Sequence, residues 1–304
     1  DDYGTVFAKT TYELNGAKAP NGNRDGETNL GDLITDALIW GARQNGEAVD
    51  AAVTNGGGIR ATIKAGDITK KDVNTVLPFG NTLSIVKVTG AELLEALEAS
   101  TYCTPDALGG FPQVSGIAFT VDTTKTYDAG SLYPDSTYHA PKSINRVTIQ
   151  SVGGRAFDVK AVYTIATNDF MAAGGDTYYA FKTASANYDI GAPMDEVLMD
   201  YITTELKGVV GDTYAKPQGR ITVVRAAAPA EEPAKPVTPP AVKPAEPAAD
   251  GGETSYTVVS GDCLWNISYQ FYGSGAKFTR IASANGLKPP YLINIGQVLV
   301  IPAA

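Results

Sequence analysis

Three consecutive glycines follow a short apolar run and offer a place for an anion. Gly56, Gly57 and Gly58 have no Cβ, so their backbone N–H groups could approach a phosphate closely. Asn55 and Arg60 flank them with a neutral donor and a forked cationic donor that suit a phosphate. No Gly-Lys-Ser/Thr follows, and the glycines do not open a GxGxxG helix, so neither common nucleotide-binding loop is indicated. The structural alternative is a tight turn.

Two phenylalanines lie beside small or turn-forming residues and could stack on a planar ring. Phe79 occurs in LPFGN and Phe170 in NDFMAAGGD, where an aromatic side chain is more readily exposed than in a strand centre. Such a pair could hold the two faces of a base, at about 1–3 kcal/mol per stack. Asp176, which follows two glycines, could accept hydrogen bonds from vicinal ribose hydroxyls. Taken singly, these segments also suit a core phenylalanine and an ordinary turn, and Arg24 in NGNRDGE suits a solvated surface.

The composition limits the classes of partner. The formal net charge of −9 argues against a protein that coats nucleic acid or binds an anionic membrane, so an anionic ligand must be held by a few local arginines. No apolar run approaches the roughly 18–20 residues that span a bilayer. No basic-then-apolar signal opens the chain, so Asp1 is expected to be a mature or truncated start.

The sequence contains few residues that could bind a metal ion or form a disulfide. His139 is the single histidine, whereas transition-metal catalytic sites usually draw on two or three His or Cys side chains with carboxylates. Because this histidine lies in a Tyr-Pro-rich stretch, we expect it at the surface and expect no metal site in this chain. Cys103 and Cys263 fall in different predicted domains, so we expect no disulfide between them.

The elements that must position these residues are mixed in type. Helical spacing appears at 28–44, 89–100 (with Thr89 as N-cap) and 194–206, and strand-like runs appear at 50–54, 83–88, 116–122, 145–150, 162–167 and 219–224. Helices and strands are interspersed without a strict βαβ repeat, which favours an α+β or layered α/β fold for residues 1–225.

The remainder of the chain divides into a linker and a small unit. Residues 226–254 are rich in Pro and Ala and hold hardly any large apolar residue, which predicts a disordered, extended spacer. Residues 255–304 predict a small βααβ unit. Its expected core is Val258, Leu264, Ile267, Ile281, Leu299 and Ile301.

Residues 1–225 resemble the C-terminal domain of the 5′-nucleotidase family over nearly all of their length. The segments that carry the resemblance are, in order, ETNLGDLITDA, NGGGIR, GDIT with LPFGN, NDFMAAGGD and GRITVV. The resemblance implies a layered α/β/β/α sandwich that binds the nucleoside end of a substrate. It implies that Phe79 and Phe170 sandwich the base and that Asn81 touches its edge. Asp176 would hold the ribose. It implies that Arg24, Asn55, the nearby Gly57 and Arg60 bind the phosphate.

Two departures from the family pattern matter. Some bacterial members have a second arginine where this chain has Pro20, so phosphate affinity is expected to be lower unless Lys18 substitutes. The family's catalytic half is an N-terminal metallophosphoesterase domain that holds two metal ions, and it is not part of this sequence. The resemblance therefore implies two divalent metal ions on the missing domain, no cofactor in this chain, and no hydrolysis by this chain alone.

The last unit resembles a LysM module through YTVVSGDCLWNIS, AKFTRIASANGL and NIGQVLVIP. The resemblance implies binding of N-acetylglucosamine-containing glycans such as peptidoglycan or chitin. The residues that it implicates are Gly261, Asp262, Cys263, Leu264, Asn285, Gly286, Leu287 and Ile293.

These observations predict the nucleotide-recognition part of an extracellular, cell-wall-associated 5′-nucleotidase-type phosphohydrolase, with nucleosides or nucleoside monophosphates as ligands. Two alternatives stay open. One is a non-catalytic cell-wall protein that binds nucleotides or glycans. The other is a related hydrolase of 2′,3′-cyclic nucleotides, UDP-sugars or thiosulfate esters.

Overall fold

The computed structural model describes residues 2–225, 254–258, 264–272, 277–287, 293 and 296–303. The chain divides into two compact units, Asp1–Glu231 and Glu232–Ala304. The predicted spacer at 226–254 lies outside the described residues apart from its last residue.

Helices and strands are interspersed along the described residues. The helices are α1 Asn29–Gln44, α2 Lys70–Val76, α3 Gly90–Ser100, α4 Asp169–Ala172, α5 Tyr179–Lys182, α6 Met194–Asp200, α7 Leu264–Tyr272 and α8 Phe278–Ala284. The strands are β1 Val6–Thr10, β2 Ala51–Asn55, β3 Gly66–Thr69, β4 Thr82–Thr89, β5 Pro112–Ser115, β6 Ile117–Asp122, β7 Ala129–Leu132, β8 His139–Pro141, β9 Val147–Val152, β10 Arg155–Ala156, β11 Val162–Asn168, β12 Ala186–Pro193, β13 Val209–Val210, β14 Ile221–Val224, β15 Thr254–Thr257 and β16 Val298–Ile301.

A five-stranded sheet in the order β12-β4-β11-β2-β5 is the centre of the first unit. β2 and β11 run parallel, and their other neighbours are antiparallel. Side chains alternate across a strand, so Ala52 points into one core while Ala51 and Val53 point into the other. Both faces of β2 are therefore buried, which explains the apolar run with which it begins.

The two cores produce the layered fold that the resemblance implied. On one face of the sheet, α1 and α6 pack together with residues of α2, β1 and β3. On the other face, the second core lies between this sheet and a four-stranded sheet in the order β10-β9-β6-β14, and α3 contacts both β4 and β9. The mixed α/β sandwich is thereby confirmed.

The helix starts agree with the sequence, and one helix end does not. Thr28 caps α1 by accepting from Gly31 N, and Thr89 with Glu92 forms a capping box at the start of α3. The segment predicted as a helix at 194–206 is helical as far as Glu205, but it changes type, since the α-helix α6 ends at Asp200 and a π-helical turn, Tyr201–Glu205, follows it.

The ETNLGDLITDA segment anchors the closing strand instead of facing a ligand. Arg220, just before β14, donates to Asp36 at 2.8 Å, and its Nε lies 3.6 Å from the Asp32 carboxylate. Asp32 is fully buried. Burial raises the pKa of Asp32 to about 8, although the positive charge of Arg220 lowers it. This segment therefore joins α1 to the end of the first unit.

The second unit has the expected small core around two helices and a two-stranded sheet. β15 pairs antiparallel with β16, and α7 packs on α8. All six predicted core residues are buried: Val258, Leu264, Ile267, Ile281, Leu299 and Ile301. Within the part of the chain that the structure describes, no helix combines the length and apolar character needed to cross a bilayer.

Candidate functional site

A cleft opens where the parallel strands β2 and β11 end. Asn55 and Asn168 are the last residues of these strands, and crevices at the carboxyl ends of parallel strands are common ligand sites in α/β folds. The cleft has a volume of about 390 Å³. Every residue predicted to contact a nucleotide lines this cleft, except Arg60. The full lining is Arg24, Asn55, Gly57, Gly58, Phe79, Asn81, Gly109, Phe170 and Asp176.

The two phenylalanines are accessible in this cleft. Phe79 is 61% exposed and Phe170 is 43% exposed, so the alternative of a core Phe79 is wrong. The Phe170 ring lies directly on Gly175, where a Cβ would come within 2.5 Å of ring atoms Cε1 and Cζ. Glycine at 175 is therefore required by the position of this ring.

Arg60 reaches the site by way of Phe79. Its guanidinium carbon lies 5.6 Å from the centre of the Phe79 ring, within the range of a cation–π contact. Its Nη1 donates to Gly57 O at 3.2 Å. Arg60 thus places a positive charge beside the glycine turn and on one of the two exposed rings.

The glycines serve close chain packing more than anion binding. Gly56 N donates to Phe111 O and Gly57 N donates to Gly109 O, each at 2.7 Å, so these two N–H groups are already occupied. A Cβ at Gly56 would lie 1.8 Å from the carbonyl oxygen of Asn23. The N–H groups of Gly56 and of the predicted phosphate contact Gly57 are therefore not free for a phosphate, because the neighbouring loops already use them.

The buried Asn55 and the half-buried Asp176 form a polar pair in the lining of the cleft. Asn55 Nδ2 donates to Asp176 Oδ2 at 3.2 Å, and its Oδ1 accepts from Asn168 Nδ2 at 3.1 Å. Asp176 has a φ of 52°, a left-handed conformation that is uncommon outside glycine. Burial raises the pKa of Asp176, while the hydrogen bond from Asn55 and the charge of Arg24 lower it. The pair orients an acceptor toward the cleft.

A second polar contact joins the two phenylalanine segments. Asn81 Nδ2 donates to Asp169 Oδ1 at 2.6 Å, and the same oxygen accepts from Phe170 N at 2.9 Å. Sequence reasoning missed Asp169, Asn168 and Gly109. Asn168, which accepts from Met171 N as the N-cap of α4, could have been found from its position between a strand and a helix.

Arg24 lines the cleft and carries one buried donor without a partner. Its backbone is fixed by Arg24 N donating to Lys18 O and by Leu108 N donating to Arg24 O. Its Nε is buried and has no hydrogen-bond partner in the described residues. A buried cationic donor without a partner is costly, which suits a site that an anionic ligand completes. Lys18 is exposed and is not among the lining residues.

The residues described do not fit a metal centre. Across the described ranges, no three His, Cys, Asp or Glu side chains come together as ligands. His139 is exposed at the start of β8, and its carbonyl accepts from Tyr127 Oη.

The predicted glycan residues of the second unit are described in part. Gly261, Asp262 and Cys263 lie outside the described residues. Leu264 is 5% exposed in the core, so a ligand could reach only its backbone. Asn285 fastens α8 to β16, since its Nδ2 donates to Val300 O and its Oδ1 accepts from Val300 N. Gly286 has a φ of 64°, and the half-buried Leu287 and Ile293 pack on the core.

Comparison with known proteins identifies the family to which the domain with this cleft belongs. The family described as 5′-nucleotidase, C-terminal domain, matches residues 6–183, which is more than half of the chain. The chain belongs to the 5′-nucleotidase C-terminal domain family. A LysM domain matches residues 256–302, in the order that the sequence indicated.

Relatives of this 5′-nucleotidase-family chain are much longer than the region they share with it. The trifunctional nucleotide phosphoesterase of Bacillus subtilis is 38% identical over 66% of this chain and 13% of its own length. A cell wall protein of Listeria monocytogenes is 35% identical over 59% of this chain and 21% of its own. The crystal structure of a 5′-nucleotidase precursor from Thermus thermophilus matches with a TM-score of 0.61 and 35% identity, covering 73% of this chain and 40% of that one.

Proposed function

We propose that the first unit recognises the nucleoside end of a nucleoside phosphate for a 5′-nucleotidase-type phosphohydrolase. One observation carries the proposal: two exposed phenylalanines, Phe79 and Phe170, line a single cleft with Asp176 and Arg24. Aromatic faces, a carboxylate and a guanidinium match the base, the ribose hydroxyls and the phosphate of one nucleotide.

Each contact has a distinct chemical task in this proposal. The base stacks between the two rings, and the Asn81 amide meets its edge. Asp176, oriented by Asn55, accepts from the ribose hydroxyls. The guanidinium groups of Arg24, which lines the cleft, and of Arg60, which lies over Phe79, bind the phosphate.

The hydrolytic step would belong to a different domain of the longer protein. Two divalent metal ions on such a domain would supply an activated water for attack at phosphorus. Residues of this chain would hold the nucleotide in position. The names of the B. subtilis and T. thermophilus relatives support this reaction class.

The LysM domain would attach the protein to a cell-wall glycan outside the cell. The family match at 256–302 and the Listeria cell wall protein among the relatives support this location. The proposal thus combines nucleotide hydrolysis with retention at the wall.

Removing either aromatic ring should weaken nucleotide binding without unfolding the protein. Phe79→Ala and Phe170→Ala should each reduce the binding free energy of AMP by about 1–3 kcal/mol, because each removes one stacking face. Titration calorimetry with residues 1–304 measures this effect. Tyr3→Ala is the matched control, since Tyr3 is 51% exposed and lies outside the cleft.

Two polar substitutions separate the ribose contact from the phosphate contact. Asp176→Asn should weaken adenosine more than inorganic phosphate, and Arg60→Ala should do the reverse. A wild-type chain that binds neither AMP nor adenosine at millimolar concentration would contradict the proposed function.

The LysM domain should retain the chain on insoluble glycan. Residues 1–304 should co-sediment with peptidoglycan, whereas residues 1–225 should stay in the supernatant, since only the longer chain holds the LysM domain. Sedimentation followed by gel densitometry measures the difference. Equal sedimentation of the two chains would remove the anchoring role.

A further inference from the structure

A second cavity adjoins the nucleotide cleft and has no role in the proposed function. Its volume is about 500 Å³, within the usual range for small-molecule sites. Phe170 and Asp176 line both this cavity and the nucleotide cleft, so the two spaces are neighbours. We name it the tyrosine cavity. Its principal lining residues are Tyr133, Tyr138, Tyr179, Phe170, Asp176 and Lys182.

The far wall of the tyrosine cavity is aromatic and held in place. The rings of Tyr133 and Tyr179 are stacked, with centroids 5.2 Å apart and an angle of 26° between their planes. Tyr133 is buried, and its hydroxyl donates to Glu95 Oε1 at 2.9 Å. Tyr133 N donates to Tyr138 O at 2.9 Å, which closes the turn between them. These contacts fix the aromatic wall before any ligand enters.

The opening of the tyrosine cavity carries a free positive charge. Lys182 ends α5, and its stem crosses Gly174, where a Cβ would lie 3.1 Å from Lys182 Cβ. Lys182 forms no ion pair with any carboxylate in the described ranges. An ammonium group beside aromatic rings suits a phosphate that joins two planar groups.

We propose that the tyrosine cavity binds a second nucleobase, joined through a phosphodiester to the 3′-oxygen of the nucleotide in the first cleft. The inference rests on the proposed function, in which Asp176 holds the ribose hydroxyls. Because Asp176 borders both cavities, a substituent on one of those hydroxyls would lie within reach of the tyrosine cavity. Lys182 then faces the bridging phosphate, and the Tyr133–Tyr179 wall meets the second base.

Binding of a linear dinucleotide to residues 1–304 tests the proposal. By calorimetry, 5′-phosphoadenylyl-(3′→5′)-adenosine should bind at least about fivefold more tightly than AMP, the gain from one added stack. Tyr179→Ala should remove this gain and leave the affinity for AMP within about twofold. Tyr188→Ala, an exposed tyrosine on β12 outside both cavities, should keep the gain.

The remaining outcomes overturn the proposal in distinguishable ways. Equal affinity for the dinucleotide and AMP in the wild-type chain would reject the second base site while leaving the first cleft intact. Equal affinity for adenosine 3′,5′-bisphosphate and the dinucleotide would reduce the cavity to a phosphate site. A gain that survives Tyr179→Ala would place the second base elsewhere. Absence of AMP binding would reject the proposed function and this inference together.

Discussion

Purified residues 1–304 should release no phosphate from AMP, UDP-glucose or 2′,3′-cyclic AMP at an enzymatic rate, with or without added Zn²⁺, Mn²⁺ or Co²⁺. Uncatalysed hydrolysis of phosphate monoesters is so slow that enzymes accelerate it by up to about 10²¹-fold. The cleft offers Arg24, Arg60 and Asn55 as donors to a phosphate, but these groups generate no nucleophile. The sequence contains one histidine, and the described residues bring no three metal-ligating side chains together.

The assay measures phosphate or nucleoside release with each metal ion in turn. His139→Ala is the control, because it removes the single histidine of the sequence. Metal-dependent turnover that disappears in this variant would contradict the expectation that His139 is a surface residue without a metal. It would also contradict the assignment of hydrolysis to a different domain. Binding of AMP by the same preparation shows that the chain is folded in the assay.

Glu98→Ala should lower the free energy of unfolding by about 3–5 kcal/mol, because it removes a buried charged acceptor that several donors share. Glu98 lies on α3 and is 0% exposed. Its carboxylate accepts from the backbone N–H groups of Asn145, Arg146 and Val147, where β9 begins. Loss of the carboxylate leaves these buried donors without a partner at the junction of α3 with the four-stranded sheet.

Urea denaturation followed by circular dichroism measures this loss. Glu98→Gln keeps one acceptor oxygen and should give a smaller loss than alanine. Glu196→Ala, at an exposed position on α6, should change the free energy of unfolding by less than about 1 kcal/mol. A loss below about 1 kcal/mol for Glu98→Ala would show that water or a rearranged loop replaces the carboxylate.

Local sequence signals predicted the helices and strands better than they predicted the contacts between them. Thr28 and Thr89 identify the starts of α1 and α3 because an N-cap depends on residues only a few positions away. The change from α-helix to π-helix after Asp200 was not predicted, because the helical periodicity continues through it. There Tyr201 is held by a hydroxyl contact with Tyr214 and by packing against Trp40, contacts that periodicity does not report. Short strands such as β13 were missed because two residues carry no pattern.

In the candidate site, too, local features were predicted from the sequence and long-range contacts were not. Exposure of Phe79 and Phe170 followed from their small and turn-forming neighbours. The contact of Asn55 with Asp176 joins residues 121 positions apart, so no local pattern could reveal it. The glycines were recognised as a close-approach motif, but the sequence could not show that Asn23 and Gly109 provide the approaching chain.

The long sequence separations in the cleft have a thermodynamic consequence. Its lining comes from loops between Arg24 and Asp176, and the parallel pairing of β2 with β11 holds these loops together. No short fragment retains both phenylalanines with Asp176, so the proposed nucleotide site exists only in the folded unit. Under such linkage a nucleotide at 100 times its Kd adds about 2.7 kcal/mol to the unfolding free energy. Supply of nucleotide would then set how long the first unit survives proteases as well as how often its cleft is filled.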